Sequence, residues 1–188
     1  MHMLRLRLLV DYRTEPIVEK RFRILAHISN QLRKHVKKQL SRLDKDRVYQ
    51  ALKKEYGIEV IAGEDEKPVL ENPSINLTTM IGTAKSYSAD RYVKDGEEVE
   101  LGKMKFKVIF TPGHTCGSVC YICGDTMISG DTLFMGSCGR TDFPTGDWKQ
   151  MTESLKLLKN LDGDYKVYSG HGPSTTLERE RKTNMYMR

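Results

Sequence analysis

The chain of 188 residues lacks any long hydrophobic run, and its mean hydropathy is −0.54. No apolar stretch approaches the roughly 20 residues that a membrane-spanning helix needs, so the sequence predicts no membrane span. The first ten residues begin apolar, but Arg5 and Arg7 interrupt them, which is typical of a strand rather than of a secretory signal. We therefore expect no export and a cytoplasmic protein.

Cysteine is also scarce, and the four cysteines are Cys116, Cys120, Cys123 and Cys138. The sequence has no second cluster with which they could pair, which argues against a disulfide framework. Three of them are candidate zinc thiolates, but the run from Gly117 to Cys123 is typical of a buried strand, where cysteine is a common small core residue. We favour the core interpretation, which agrees with a reducing, cytoplasmic setting.

The chain is basic, with 31 Lys and Arg against 25 Asp and Glu, but it lacks the signatures of nucleic-acid binding. Residues 1–56 hold 15 basic and 6 acidic residues, and the remainder holds 16 and 19. A basic segment can bind nucleic acid, yet interleaved aromatic residues and a glycine-rich RNA-binding motif are missing. A solvated helix face explains the charge better, so we expect no nucleic-acid partner.

Residues 1–51 differ in pattern from the rest of the chain. Apolar residues recur at steps of three and four from Leu25 to Leu43, which predicts an amphipathic helix with a basic outer face. A capping-box pattern predicts a second helix from about Arg42 to Tyr56. His27 and His35 fall within the first pattern, and we interpret both as ordinary surface or boundary residues.

From Leu52 onward, apolar runs and turn residues alternate regularly. The predicted strands are Ile58 to Ala62, Glu97 to Leu101, Met104 to Phe110, Gly117 to Cys123, Thr126 to Ile128 and Tyr165 to Tyr168. Glycine-containing turns separate the four middle strands, which predicts an antiparallel series. The predicted helices are Pro68 to Glu71, Trp148 to Leu161 and a last one from about Thr175. This order predicts α/β layers, and the length fits a single domain over residues 1–188.

Three metal-capable side chains, His114, Asp131 and His171, each follow one of these hydrophobic runs directly. The glycines beside each of them let the backbone turn sharply after its strand. Two imidazoles and a carboxylate suit zinc or iron. The sequence therefore predicts a metal site assembled from strand ends.

The chain from about Leu52 onward resembles the metallo-β-lactamase superfamily, and within it the small glyoxalase II-like hydrolases. The segments that carry the resemblance are Thr111 to Thr115, Ser129 to Phe134, Gly136 to Asp147, Ser169 to Leu177 and the residues Glu180, Arg181 and Asn184. The resemblance implies an αββα sandwich with a two-metal site at its edge. It also implies hydrolysis of a thioester such as S-lactoylglutathione. We divide the chain into an atypical basic part, residues 1–51, and a family-like part, residues 52–188.

When the family's metal ligands are matched to this chain motif by motif, His114 is similar to the histidine on the first metal and His171 to the histidine on the second. Asp131 is similar to the carboxylate that bridges both metals. The family's main motif, Thr-His-x-His-x-Asp-His, falls on Ser41 to Arg47 when it is counted back from the helix that precedes Gly57.

This earlier motif departs from the family pattern. Only Asp46 keeps its expected identity, whereas Arg42, Asp44 and Arg47 stand where histidines are expected. Arginine cannot ligate a metal because its guanidinium stays protonated. Asp44 is at best a substitute ligand of the first metal, and Asp46 is a ligand of the second.

These donors favour a single metal ion at the second site, where Asp46, Asp131 and His171 would remain as ligands. We expect one or two ions per chain. Zinc is the expected metal, with iron or manganese as alternatives because carboxylates replace imidazoles. Asp46 and Asp131 are the predicted catalytic residues, in a thioester hydrolysis driven by metal-bound hydroxide. The alternative is a noncatalytic protein that lost the dinuclear site. The atypical N-terminal segment is either a replaced, rearranged or frame-shifted version of the family's own start, or a genuine helix that covers the exposed sheet or a homo-oligomer interface.

Overall fold

The computed structural model describes residues 59–81 and 84–188. The predicted N-terminal helices, His27, His35, Asp44 and Asp46 therefore lie outside the described residues. Residues 60–188 form one compact unit. The single domain over the whole chain stays a prediction. None of the helices in the described part of the chain is long and apolar enough to cross a bilayer.

Ten strands and three α-helices make up the described part. The strands are β1 (Ile61–Gly63), β2 (Arg91–Val93), β3 (Glu98–Leu101), β4 (Met104–Phe110), β5 (Val119–Cys123), β6 (Thr126–Gly130), β7 (Leu133–Phe134), β8 (Ser137–Cys138), β9 (Lys166–Ser169) and β10 (Thr175–Thr176). The helices are α1 (Lys67–Glu71), α2 (Trp148–Lys159) and α3 (Leu177–Thr183). Short 3₁₀ turns cover Glu64–Glu66, Thr78–Ile81 and Met185–Met187.

The main sheet has six strands in the order β10-β9-β6-β5-β4-β3. Strands β3, β4, β5 and β6 each pair antiparallel with the next strand in the chain, as predicted from the turns between them. Strand β6 pairs parallel with β9. In β4, Phe106 and Val108 are buried while Lys105 and Lys107 are exposed, the alternation of a sheet with one covered face. Strands β1 and β2 form a separate parallel pair, and β7 and β8 a short hairpin.

Helix α2 covers the main core through residues at helical spacing. Asp147 caps its first turn by accepting a hydrogen bond from the Gln150 backbone N–H at 2.7 Å. Met151, Leu155 and Leu158 are fully buried and pack in one cluster with side chains of β4, β5, β6 and β9. Packing of this buried face of α2 fixes the segment between β8 and β9 on the core, and the chain then enters β9 beside β6.

The direction of the strands decides where their following loops lie. Strand β4 is antiparallel to β5, β5 is antiparallel to β6, and β6 is parallel to β9. Strands β4, β6 and β9 therefore point the same way, and their carboxyl ends share one edge of the sheet. The loops that begin at Thr111, Asp131 and Gly170 all leave from this edge.

Arg181 of α3 is expected to anchor the end of α2, and its replacement by methionine should lower the free energy of unfolding by about 1.5–3 kcal/mol. Its guanidinium donates hydrogen bonds to the carbonyl oxygens of Lys159, Leu161 and Gly163. Methionine keeps the apolar stem but removes the charged donors from these carbonyls. Urea unfolding measures the loss.

The Lys182→Met variant, one residue further along α3, is the matched control. Lys182 is exposed and pairs with Glu178 one turn earlier, a kind of pair that contributes about 0.5 kcal/mol or less. Equal losses from the two variants would contradict the assignment of Arg181 as the anchor.

Candidate metal centre

The edge formed by the ends of β4, β6 and β9 brings together the three predicted ligands in the described part of the chain. His114 lies in the loop after β4, Asp131 follows β6 directly and His171 follows β9. The imidazoles of His114 and His171 approach different oxygens of the one carboxylate, Asp131. Asp44 and Asp46 lie outside the described residues, so their assignment as ligands stays a prediction.

His114 is buried and its ring orientation is fixed by a neighbouring loop. Its Nδ1 lies 2.8 Å from the carbonyl oxygen of Arg140. A carbonyl oxygen only accepts hydrogen bonds, so Nδ1 carries the proton and Nε2 of the neutral ring carries the lone pair. The ring also meets the edge of Phe143 at a centroid distance of 5.1 Å. This is the arrangement by which proteins orient a metal-ligating histidine.

The Nε2 atom of His114 lies 3.6 Å from Oδ2 of Asp131, beyond hydrogen-bond distance. Two ligands of a tetrahedral zinc ion, each about 2.1 Å from the metal, lie roughly 3.4 Å apart. The spacing of these two lone-pair donors therefore suits a shared cation. Both side chains are nearly inaccessible to solvent, with exposed fractions of 7% and 3%.

His171 has the opposite environment, since 56% of its side chain is exposed. Its Nδ1 donates a hydrogen bond to Oδ1 of Asp131 at 2.8 Å, which leaves the lone pair of the neutral ring on Nε2. Phe134 of β7 meets the ring edge to face, with centroids 6.0 Å apart. His171 thus holds Asp131 from the solvent side while His114 faces it from the protein interior.

The three side chains converge pairwise on Asp131 rather than around one common point. Across residues 59–81 and 84–188, no group of three or more His, Cys, Asp or Glu side chains is arranged to hold a metal ion. The donor types suit zinc or iron, and the pair of His114 and Asp131 has a suitable spacing.

The backbone closes tightly around Asp131. A Cβ atom placed on Gly170 would lie 1.9 Å from Oδ1 of Asp131, and one on Gly139 would lie 1.8 Å from its carbonyl oxygen. Gly130 and Gly172 have positive φ angles of 52° and 80°, which confirms the sharp turns predicted after the strands. The close approach at Gly139 and Gly170 was not predicted.

Buried hydroxyl groups join the loops behind the ligands. Thr111 and Thr132 are inaccessible to solvent, and their side-chain oxygens lie 2.9 Å apart. The Thr111 hydroxyl also contacts the Cys120 thiol at 3.3 Å. Because Thr111 begins the loop of His114 and Thr132 follows Asp131, this contact ties the two ligand segments together. Both threonines lie within the motif segments, but no sequence pattern indicated that their hydroxyl groups meet.

The cysteines behave largely as the core interpretation predicts. Cys120 is fully buried in β5, and burial raises the pKa of its thiol to about 11, so it stays protonated at neutral pH. Cys116, Cys123 and Cys138 are partly buried, and all four are free thiols.

Arg140 and Asp142 pair in the loop beside the site. The Arg140 guanidinium donates to both carboxylate oxygens of Asp142 and lies 4.6 Å from the centre of the Phe143 ring. The hydrogen bonds from Arg140 lower the pKa of Asp142. This pair supports the loop whose carbonyl orients His114.

The sequence of the chain matches a known protein family. Residues 49–171 match the family model described as the metallo-beta-lactamase superfamily. A hydroxyacylglutathione hydrolase, GloC of Haemophilus influenzae, is 31% identical over 142 residues, which are 72% of this chain and 67% of that protein.

Two solved structures resemble the chain closely. The B3 metallo-beta-lactamase BLEG-1 superposes with a TM-score of 0.64 at 33% identity, over 73% of this chain and 68% of that one. The protein TTHA1623, solved in a di-iron-bound form, gives a TM-score of 0.61 at 34% identity, over 72% and 68%. The predicted α/β architecture and the family resemblance are confirmed, and the chain belongs to the metallo-β-lactamase superfamily.

Proposed function

We propose that the chain is a metal-dependent hydrolase of thioesters, with S-lactoylglutathione as the representative substrate. The observation that carries the proposal is the convergence of His114 and His171 on Asp131 at the carboxyl edge of the sheet. The similarity to a hydroxyacylglutathione hydrolase supports the substrate class. The overall reaction consumes one water molecule and releases a carboxylic acid and a thiol.

His114 and Asp131 would hold one cation, and Asp131 and His171 would contribute to a second where two are bound. The 3.6 Å spacing between His114 Nε2 and Asp131 Oδ2 supports this assignment. A bound divalent cation supplies Lewis acidity, which polarises the thioester carbonyl and lowers the pKa of a coordinated water. Zinc is the proposed ion, with iron or manganese as alternatives. The di-iron form of TTHA1623 supports keeping iron among them.

Each residue has a separate task in the proposed reaction. His114 presents a fixed lone pair because the Arg140 carbonyl holds its Nδ1 proton. Asp131 contributes the negative charge and orients the attacking water, while His171 Nδ1 donates a hydrogen bond to its Oδ1. The thiol leaving group departs as a thiolate with little help from a general acid, since its pKa of about 8.5 is far below that of an alcohol.

Asp46 as a further catalytic residue, Asp44 as a substitute ligand and the homo-oligomer built through the N-terminal segment stay predictions. The four free thiols support the predicted reducing, cytoplasmic setting. The family match begins at residue 49, after both aspartates.

A noncatalytic binding or structural protein is the second candidate. It is favoured by one observation: the part of the chain that the structure describes contains no complete group of three metal ligands. The replacement of histidines between Ser41 and Arg47 points in the same direction.

Elemental analysis combined with a hydrolysis assay separates the two candidates. We expect the purified full chain to hold one or two ions and to hydrolyse S-lactoylglutathione. A chelator should abolish turnover, and zinc, iron or manganese should restore it. Turnover that persists without metal would contradict the proposed mechanism. A chain that hydrolyses no thioester with any of the three metals would favour the noncatalytic alternative.

A further inference from the structure

Glu66 lies 49 residues before the loop of His114 but contacts that loop directly. Its Oε2 accepts a hydrogen bond from the Thr115 hydroxyl at 2.7 Å and another from the Gly117 backbone N–H at 3.1 Å. Glu66 is partly buried at the end of the 3₁₀ turn that follows β1. One carboxylate oxygen thus receives two donors from the segment that begins directly after His114.

The loop itself is arranged around these two hydrogen bonds. The Thr115 backbone N–H donates to the Ser118 hydroxyl at 3.0 Å, and the Ser118 N–H donates to the Thr115 carbonyl at 3.3 Å. Because the Thr115 hydroxyl donates its proton to Glu66, the Ser118 hydroxyl must donate to Thr115 across their 2.9 Å separation. Glu66 therefore sets the direction of the hydrogen bonds in this loop.

The two segments also touch through their backbones. A Cβ atom on Gly117 would lie 2.1 Å from the backbone nitrogen of Glu66, and one on Gly63 would lie 2.5 Å from the carbonyl oxygen of Gly117. Such contact leaves no room for the loop to shift toward the 3₁₀ turn. Hydrogen bonds to Glu66 keep it from shifting away.

His114 is held from its other side by different elements. The carbonyl of Gly113 accepts a hydrogen bond from the Asp147 N–H at 2.9 Å, at the start of α2. The Arg140 carbonyl fixes the ring. Without Glu66, the segment after His114 loses the carboxylate oxygen that accepts its two hydrogen bonds, so we expect the ring to be held less firmly beside Asp131.

We propose that Glu66 is a positioning residue that holds the loop of His114 in the geometry required for metal binding. This inference rests on the proposed role of His114 as a ligand. Residues that orient metal ligands from behind typically change metal affinity by 10- to 100-fold when they are replaced. We expect Glu66→Ala to weaken zinc binding within this range.

Glu66→Gln is the conservative variant, since its amide oxygen can still accept both hydrogen bonds. We expect it to bind zinc within about threefold of the original protein, a smaller change than the 10- to 100-fold loss expected of Glu66→Ala. Glu64→Ala is the matched control. Glu64 lies in the same 3₁₀ turn but is half exposed and faces Lys94 at 4.0 Å. The Glu64→Ala variant should bind zinc with the same affinity as the original protein.

The zinc dissociation constants of the full-length variants can be measured by competition with a chromogenic chelator, after circular dichroism has shown that each variant is folded. A Glu66→Ala chain with the original affinity would overturn the proposal. A Glu66→Gln chain that binds zinc as weakly as Glu66→Ala would also overturn the proposal, because zinc affinity would then depend on the charge of Glu66 rather than on its hydrogen bonds.

Amide hydrogen exchange of the metal-free chains gives a second readout. Thr115 and Ser118 should exchange at least tenfold faster in Glu66→Ala than in Glu64→Ala, although neither of these amides bonds to Glu66 directly. If the original chain binds none of zinc, iron and manganese but this difference is found, the proposed function fails and the role of Glu66 in positioning the loop stands. If zinc binds equally to all variants and exchange is unchanged, the role of Glu66 fails and the proposed function stands.

Discussion

The Asp131→Asn variant is expected to lose its metal and to hydrolyse thioesters on the order of 10³-fold more slowly. Asparagine keeps the size of the side chain but removes the negative charge that both histidines face. A metal acting as Lewis acid stabilises the transition state by several kcal/mol, and about 4 kcal/mol corresponds to a factor of 10³ in rate. Elemental analysis and the hydrolysis of S-lactoylglutathione measure the two losses.

Asp125→Asn provides the matched control for this experiment. Asp125 precedes the other end of β6, is exposed and pairs with Lys166 at 3.2 Å. Its replacement removes the same charge from the same strand without touching the site, so metal content and turnover should stay unchanged. An Asp131→Asn chain that retains its metal and turns over within tenfold of the original would contradict the assignment of Asp131.

The Gly170→Ala variant is expected to lose at least 10²-fold in turnover although no ligand is changed. The added methyl group would lie 1.9 Å from Oδ1 of Asp131 and 2.8 Å from the carbonyl oxygen of Gly130. Either the carboxylate or the backbone must shift by about 1 Å, and a displacement of this size can cost about 10²-fold in rate. Overpacking should also lower the free energy of unfolding by about 1–3 kcal/mol.

Gly163→Ala separates the effect on the site from a general loss of stability. Gly163 follows α2 with a φ angle of 79°, and nothing lies within 4 Å of its added methyl group. This variant should lose about 1–2 kcal/mol through backbone strain while its turnover stays unchanged. If Gly170→Ala lowers stability in the same way but keeps full turnover, the carboxylate does not need its present position.

Local patterns predicted the elements with strong periodicity. Strand β4 begins and ends at its predicted residues because apolar side chains alternate with Lys105 and Lys107. Helix α2 begins at Trp148 as predicted, since its buried residues follow helical spacing, and it ends two residues earlier than predicted. Strand β2 was missed because its three residues end a long polar stretch. The two-residue strands β7 and β8 are too short to show a period.

The convergence of three side chains was predicted, but the contacts around them were not. His114, Asp131 and His171 were proposed as ligands from their place after strands, and all three lie at one edge of the sheet, while their role as ligands stays a prediction. The parallel pairing of β6 with β9, which brings Asp131 next to His171, is a long-range feature that no local pattern records. The contact of Glu66 with a loop 49 residues away is also long-range. In the sequence, Glu66 is indistinguishable from the other residues of an acidic surface turn.

The most direct test of the account is an anomalous-scattering map from crystals of the full chain grown with zinc, collected above and below the zinc absorption edge. We expect a peak about 2.0–2.2 Å from His114 Nε2 and a carboxylate oxygen of Asp131. A map with no peak between these side chains, or with zinc bound elsewhere while they keep the contacts described above, would contradict it.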